Sequence, residues 1–207
     1  MGSQSKTHLT LDKAHAYWRK PPESNNWPSE YIDTANKPQL VQRSEALVNL
    51  MRRHAFRDSA ILEIGCNAGR NLKYLFEAGY SNLSAVEISQ NAIDEMQAQL
   101  PDLYAAVNIQ VAPIEEVVDT LPTFDVIFTM ATMVHLPRES EWVFPKIAGR
   151  VKSRLITVEF EHPIDSDRHF PRNYERIFEA NGLRLVDMMH PFPGLPSSYY
   201  CWVFSPV

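Results

Sequence analysis

Two acidic residues and two glycines are spaced as a ligand-binding loop requires. In Ala60-Ile61-Leu62-Glu63-Ile64-Gly65-Cys66-Asn67-Ala68-Gly69-Arg70-Asn71 an apolar run carries Glu63, stops at Gly65 and passes Asn67 before Gly69. An apolar run that ends in a glycine-punctuated turn and continues into a helical stripe, here Leu72, Leu75 and Phe76, reads as a buried strand feeding a nucleotide-binding loop. Gly65 is read as the tight-turn residue. Gly69 is read as the point where a missing Cβ lets a ligand approach the N–H groups at the start of a helix opened by Arg70 and Asn71. The next apolar run, Leu83-Ser84-Ala85-Val86, ends at Glu87, eighteen positions past Gly69, and Ile88 follows it. There a doubly wound sheet presents a carboxylate to ribose hydroxyls.

Such a loop serves dinucleotides and S-adenosylmethionine alike, and two residues separate them. A dinucleotide fingerprint needs a small residue three positions after its second glycine, and Leu72 occupies that place. Glu63 would repel a pyrophosphate but attract the ammonium of a methionine moiety. At this point the chain resembles the class I S-adenosylmethionine-dependent methyltransferases. Their first motif is matched by Glu63-Ile64-Gly65-Cys66-Asn67-Ala68-Gly69 and their second by Glu87. Later landmarks follow in order: Ala112-Pro113-Ile114-Glu115-Glu116, Phe124-Asp125-Val126-Ile127-Phe128 and Met133-Val134-His135-Leu136-Pro137. The resemblance runs from about residue 56 to 207. In two places the chain departs from the family: Asn67 stands at the middle glycine, and Pro113-Ile114 replaces an acidic residue that often contacts the adenine amino group. The resemblance implies S-adenosylmethionine as cofactor, held by Glu63, Gly65, Asn67, Gly69, Arg70, Asn71, Glu87, Ile88, Ile114 and Met130.

These residues need a scaffold, and the periodicities supply one. Strands are expected near 60–64, 83–87, 107–111, 124–129, 154–160, 183–189 and 199–204, with helices near 71–78, 91–100, 139–150 and 173–180. No helix is read between the last two strands. The expected fold is α/β, a doubly wound, mostly parallel seven-stranded sheet with an antiparallel last strand, which is also the Rossmann-like fold of the family. Residues 56–207 form this cofactor-binding unit and residues 1–55 precede it. Within the latter, Leu40, Val41, Leu47, Val48 and Met51 mark an amphipathic helix over 39–54. Upstream, Tyr17, Trp18, Trp27 and Tyr31 are interleaved with Pro21, Pro22, Asn25, Asn26 and Pro28. That irregular aromatic segment is either a strap on the sheet edge or a lid over the site. As a lid it would place Tyr17 and Trp18 against a sulfonium, which aromatic faces stabilise, and Tyr31 toward the substrate.

Catalytic candidates belong at the carboxyl ends of strands. His135, after the fourth strand, is a candidate general base, its ordinary pKa being near neutrality; a structural histidine is the competing reading. After the fifth strand, Glu159, Glu161 and His162 could orient a substrate ammonium or take a proton, with Glu161 the catalytic candidate, or they are solvated loop charges. His169, Arg172 and Tyr174 come next. Arg172 is read as substrate-binding, and Tyr174 as either a catalytic hydroxyl or the first core residue of a stripe with Ile177 and Phe178. Tyr199, leading into the last strand, would close the same pocket.

Composition narrows the function. The chain has 207 residues, 44% of them hydrophobic, enough for one full core. A net charge of -5 with no cluster of Lys or Arg argues against nucleic acid as a partner. No apolar run is long enough to cross a bilayer and no secretory leader is visible, so a soluble cytoplasmic protein is expected. Cys66 and Cys201 are isolated, which suggests reduced thiols and no metal site. The leading expectation is methyl transfer from S-adenosylmethionine to O, N or S of a small metabolite. Two others stand beside it. One is a cyclase or lyase in which the cofactor's own amine expels methylthioadenosine and yields azetidine-2-carboxylate. The other is a catalytically silent S-adenosylmethionine-binding subunit. Acceptor and oligomeric state have no signature in the chain.

Overall fold

The computed structural model describes residues 8–164 and 166–207. Its centre is a seven-stranded sheet built from β1 (Ile61–Ile64), β2 (Leu83–Glu87), β3 (Asn108–Val111), β4 (Phe124–Met130), β5 (Val151–Phe160), β6 (Leu183–Met189) and β7 (Tyr199–Pro206), in the order β3-β2-β1-β4-β5-β7-β6. β1 is buried along its whole length, as a central parallel strand covered on both faces must be. β7 pairs antiparallel with both β5 and β6, so it alone runs against the rest. The chain steps outward from β1 through β2 to β3 and then returns to β4 on the other side. That reversal opens a crevice at the carboxyl ends of β1 and β4.

Helices cover both faces. On one, α2 (Pro38–His54), α3 (Arg70–Glu77) and α4 (Gln90–Gln99) bury Leu47, Leu50, Met51, Leu72, Leu75, Ile93 and Met96 against β1, β4 and β5. On the other, α6 (Ile114–Val117), α7 (Val143–Ala148) and α8 (Tyr174–Glu179) bury Ile114, Val143, Phe144, Ile147, Tyr174 and Phe178. α5 (Pro101–Ala106) begins on a proline and packs Leu103 into the first face. The seventh helix is shorter than the span 139–150 read from periodicity. Pro145 lies in its first turn, where a missing N–H costs nothing, whereas a helix from 139 would set the ring against a carbonyl one turn back. Residues Arg138–Ser140 form a separate 3-10 turn.

The aromatic N-terminal segment is more ordered than its prolines suggest. Residues Leu11–Arg19 form helix α1, with Leu11, Ala14 and Trp18 at helical spacing, and Pro28–Tyr31 form a 3-10 turn before α2. Nine residues without a capping side chain give too weak a stripe to be legible.

Gly69 departs from its expected role. It has φ 83° and caps α3 at its start, and the position of its missing Cβ is taken by the buried Met96 side chain and Leu103, so its freedom serves packing of α3 on α4 and α5. Gly65, at φ 77°, makes the turn as expected, and there the side chain of Thr132 fills the space a Cβ would need. Gly69→Ala should therefore cost about 1–2 kcal/mol from the left-handed backbone alone, with crowding at Met96 added. A thermal melt at an unchanged midpoint would refute this placement.

Candidate active site

The crevice closes into a cavity of about 350 Å³ between the carboxyl ends of β1, β2 and β4 below and α1 with the Pro28–Tyr31 turn above. Glu87, the last residue of β2, stitches its floor together. Glu87 Oε2 accepts the Asn67 N–H at 2.7 Å, and its Oε1 accepts the Ser89 N–H at 2.9 Å. Asn67 sits at φ 49°, a left-handed conformation that asparagine tolerates better than most residues, and its own Oδ1 accepts the Ala68 N–H at 2.7 Å. An asparagine thus makes the turn at the place where the family has a glycine.

Glu63 lies deeper. Its Oε1 accepts from Asn71 Nδ2 at 2.8 Å, while its Oε2 is buried and has no partner among the described residues. Burial pushes its carboxyl up to about 8, against the Asn71 hydrogen bond and the nearby Arg70 charge. Asn71 Oδ1 in turn accepts from Ser44 Oγ at 3.0 Å and from the Arg70 guanidinium at 3.1 Å. Arg70 also donates to Ser44 Oγ at 3.0 Å and to the Tyr31 carbonyl at 3.2 Å, which ties the upper wall to the glycine loop.

Beyond β4, the 3-10 turn Met133–His135 is set by Glu159. Its Oε1 accepts the N–H groups of Thr132 and Met133 and its Oε2 that of Val134, each at 3.1 Å. Burial pushes the Glu159 carboxyl up to about 7, and these N–H groups oppose the shift. His135 Nδ1 lies 2.9 Å from the Arg168 carbonyl, which can only accept, so that nitrogen carries the proton and Nε2 keeps a lone pair. The ring is wedged between Trp18, with centroids 4.3 Å apart, and His169, at 4.8 Å. The residue as a whole is partly buried, and desolvation by its surroundings depresses its pKa to about 3. His135 is thus a neutral hydrogen-bond acceptor and a poor proton store.

Of the residues expected at the site, Trp18, Tyr31, Glu63, Gly65, Asn67, Arg70, Asn71, Glu87, Ile88, Ile114, Met130, His135 and Tyr199 line the cavity. Five others do not. Gly69 faces Met96. The hydroxyl of Tyr17 accepts from Asn26 Nδ2 at 2.9 Å and its ring lies 4.4 Å from the Arg168 guanidinium, so Trp18 and not Tyr17 faces the cavity. Glu161 accepts from the Trp202 indole N–H at 2.6 Å. Arg172 spends its guanidinium on the carbonyls of Phe170 at 2.8 Å and Pro137 at 3.0 Å, bracing the loop after β4. Tyr174 is fully buried, edge-on to Phe144 at 6.2 Å, as core packing requires. The structure adds wall residues that sequence reasoning passed over, His15, Arg43 and Arg168, and brings Glu115, Thr132 and His169 to the same wall. A sequence signal existed for Arg43, because it interrupts the apolar stripe of α2 between Leu40 and Leu47. Among the described residues, no group of three or more His, Cys, Asp or Glu side chains is arranged to hold a metal ion, and no helix is long and apolar enough to cross a membrane.

The Glu63 shift has a sign that can be checked. The folded protein holds a proton that the unfolded chain releases near 4.5, so the stability from that proton is fully present below 4.5 and is lost as pH rises through about 8. Glu63→Gln keeps the acceptor for Asn71 and cannot ionise. Its stability relative to the parent chain, from urea midpoints, should climb between about pH 5 and 8; a flat difference would mean Glu63 titrates normally.

Comparison with known proteins places this geometry. No curated protein matches the chain by sequence. The model of the methyltransferase domain family matches residues 61–154, from β1 into β5. The magnesium protoporphyrin IX methyltransferase of Synechocystis PCC 6803, solved with bound S-adenosylhomocysteine, is 15% identical with a TM-score of 0.70, over 92% of this chain and 95% of that one. The 1,6-didemethyltoxoflavin-N1-methyltransferase of Burkholderia thailandensis is 15% identical with a TM-score of 0.71, over 98% and 93% of the two chains. A chain in the complex between the Haloferax volcanii Trm112 methyltransferase activator and a methyltransferase is 10% identical with a TM-score of 0.67, over 87% and 97%. The three share its fold. The methyltransferase-domain model is thus seated on the strand ends and loops that build the cavity, and the chain shares the Rossmann-like fold of these S-adenosylmethionine-dependent methyltransferases.

Proposed function

We propose that the protein transfers the methyl group of S-adenosylmethionine to a small molecule inside this cavity. The residues present fit the cofactor. The unpartnered Glu63 Oε2 suits an ammonium. Each Glu87 oxygen retains a lone pair for ribose hydroxyls, and Ile88, Ile114 and Met130 offer apolar wall to an adenine ring. When bound, S-adenosylmethionine supplies a methyl carbon already activated by positive sulfur. The chain's own residues then bind, orient and exclude water, which can supply much of the rate.

The observation that carries the small-molecule reading is the upper wall. α1 docks through its Trp18 ring on His135, the His15–Glu115 contact at 3.3 Å and the bond from Ser89 Oγ to the Arg19 carbonyl at 3.1 Å. Tyr31 donates to Asn26 Oδ1 at 2.9 Å, which fastens the following turn. We read the segment as a lid. The volume beneath it, about 350 Å³, is at the low end of the roughly 300–1,000 Å³ of small-molecule sites. Two solved relatives are named for small-molecule acceptors.

Product analysis tests this. The protein, S-adenosylmethionine and a small-molecule extract should yield S-adenosylhomocysteine. Methylthioadenosine instead would mean the cofactor is the substrate, and neither product would mean a silent binder. Cofactor binding has a signature of its own. An ammonium placed on Glu63 should ionise it, so titration calorimetry at pH 7 in buffers of different ionisation heat should show close to one proton released, and Glu63→Gln should abolish that release. Equal proton counts for both proteins would remove Glu63 from the cofactor site.

A further inference from the structure

Resting on that reading, the chemistry of the acceptor can be narrowed, because the cavity wall holds a guanidinium whose terminal nitrogens have no partner among the described residues, and few groups beside it are fit to take a proton. Arg43 projects from α2 into the cavity wall, and its Nε donates to the Gly194 carbonyl at 2.9 Å. Its terminal nitrogens have no hydrogen-bond acceptor and no ion pair among the described residues. The guanidinium is half-buried within electrostatic reach of Tyr31 and Tyr199, and burial lowers its pKa. A half-buried guanidinium without a counter-charge is a docking point for an anion, and its planar fork matches a carboxylate.

Bases are scarce around it. His135 has spent Nδ1 on a carbonyl and is pushed down to about 3. His169 bonds Ser166 Oγ at 2.6 Å, and burial lowers it too. Glu115 accepts from Ser140 Oγ at 2.6 Å and faces His15, while Glu87 is occupied by loop N–H groups. The Tyr31 hydroxyl, raised by burial to about 12, is no base at neutral pH. An alcohol, phenol or ammonium acceptor would have to lose its proton to one of these groups. A carboxylate arrives without one.

We infer that the acceptor is a small planar or apolar carboxylic acid, held through its carboxylate by Arg43 between Tyr31 and Tyr199, and methylated on a carboxylate oxygen. That oxygen forms a bond to the methyl carbon as the carbon–sulfur bond breaks. The electron pair of the broken bond stays on sulfur, which becomes neutral, and the products are a methyl ester and S-adenosylhomocysteine with no proton transferred. The walls suit an acid of this kind, since Trp18, Tyr31 and Tyr199 present rings and Pro137 an apolar edge.

Two measurements test it. By calorimetry on the protein loaded with S-adenosylhomocysteine, benzoate should bind at least tenfold more tightly than its neutral isostere benzamide. Arg43→Gln should erase that preference while leaving S-adenosylmethionine affinity within about twofold, and Arg43→Lys should restore part of it. No preference for benzoate, or an Arg43→Gln effect on the cofactor in place of benzoate, overturns the assignment; the latter would give Arg43 to the cofactor's carboxylate. For the reacting atom, label carried from methyl-labelled S-adenosylmethionine into the small-molecule extract should be released as methanol by mild alkali. S-adenosylhomocysteine formed with alkali-stable label overturns the carboxylate acceptor but leaves methyl transfer standing, whereas no S-adenosylhomocysteine at all refutes methyl transfer itself.

Discussion

Carboxylates buried at the carboxyl edge of the sheet are the constraint on which the site depends. Three strands, β1, β2 and β5, place a glutamate there: Glu63, Glu87 and Glu159, all within a few per cent of complete burial. A buried carboxylate is costly unless its oxygens are hydrogen-bonded, and the donors at hand are the loops that leave those strands and β4 and, for Glu63, the Asn71 side chain at the start of α3. Glu87 gathers the glycine loop and the start of α4, and Glu159 gathers the three N–H groups after β4. The loops that form the cavity floor are therefore shaped by the need to satisfy the strand ends. Only Glu63 is left half satisfied.

The upper wall follows from that floor. Ser89, positioned by its N–H on Glu87, is the residue whose hydroxyl reaches back to the Arg19 carbonyl of α1. The turn set by Glu159 presents His135 as the surface on which Trp18 rests. The pair Arg19–Glu116, at 3.3 Å, is at least half exposed on both sides and contributes little. What holds α1 is the burial of Ala14, the Trp18 ring against His135 and the bond from Ser89 to the Arg19 carbonyl.

Much of this was legible in the sequence, and the reason differs by element. The central strands β1, β2, β4 and β5 were readable because they are largely buried apolar runs, and a buried strand has a compact apolar signature, while β6 was readable from its alternation. Glu63, Asn67 and Glu87 were readable because chain spacing alone fixes their place at strand ends. Arg172 and Glu161 were not, since each belongs to a segment whose outcome is decided by tertiary partners, the Pro137 and Phe170 carbonyls and Trp202, whereas the core place of Tyr174 follows from its stripe with Ile177 and Phe178. Arg43 and His15 escaped for the converse reason. Arg43 sits on a helix whose own pattern reads as structural and His15 on one too weakly patterned to be read at all, and only the fold brings those helices to the crevice.

The same dryness that makes charge expensive decides what the cavity can do. Burial drives His135 toward its neutral form and leaves the tyrosine hydroxyls protonated, so acid–base chemistry is weak beneath α1. It also leaves two polar groups of opposite character incomplete. Glu63 has a carboxylate oxygen without a donor, and Arg43 has terminal nitrogens without an acceptor. In low dielectric such groups are strong determinants of what binds, because a ligand that supplies the missing charge gains an interaction water does not compete for. A cationic amine at one end and an anionic acceptor at the other would complete both. For a reaction whose electrophile is already activated, that division of labour is sufficient: once the cofactor's ammonium has ionised Glu63, the transfer step itself has no proton to move.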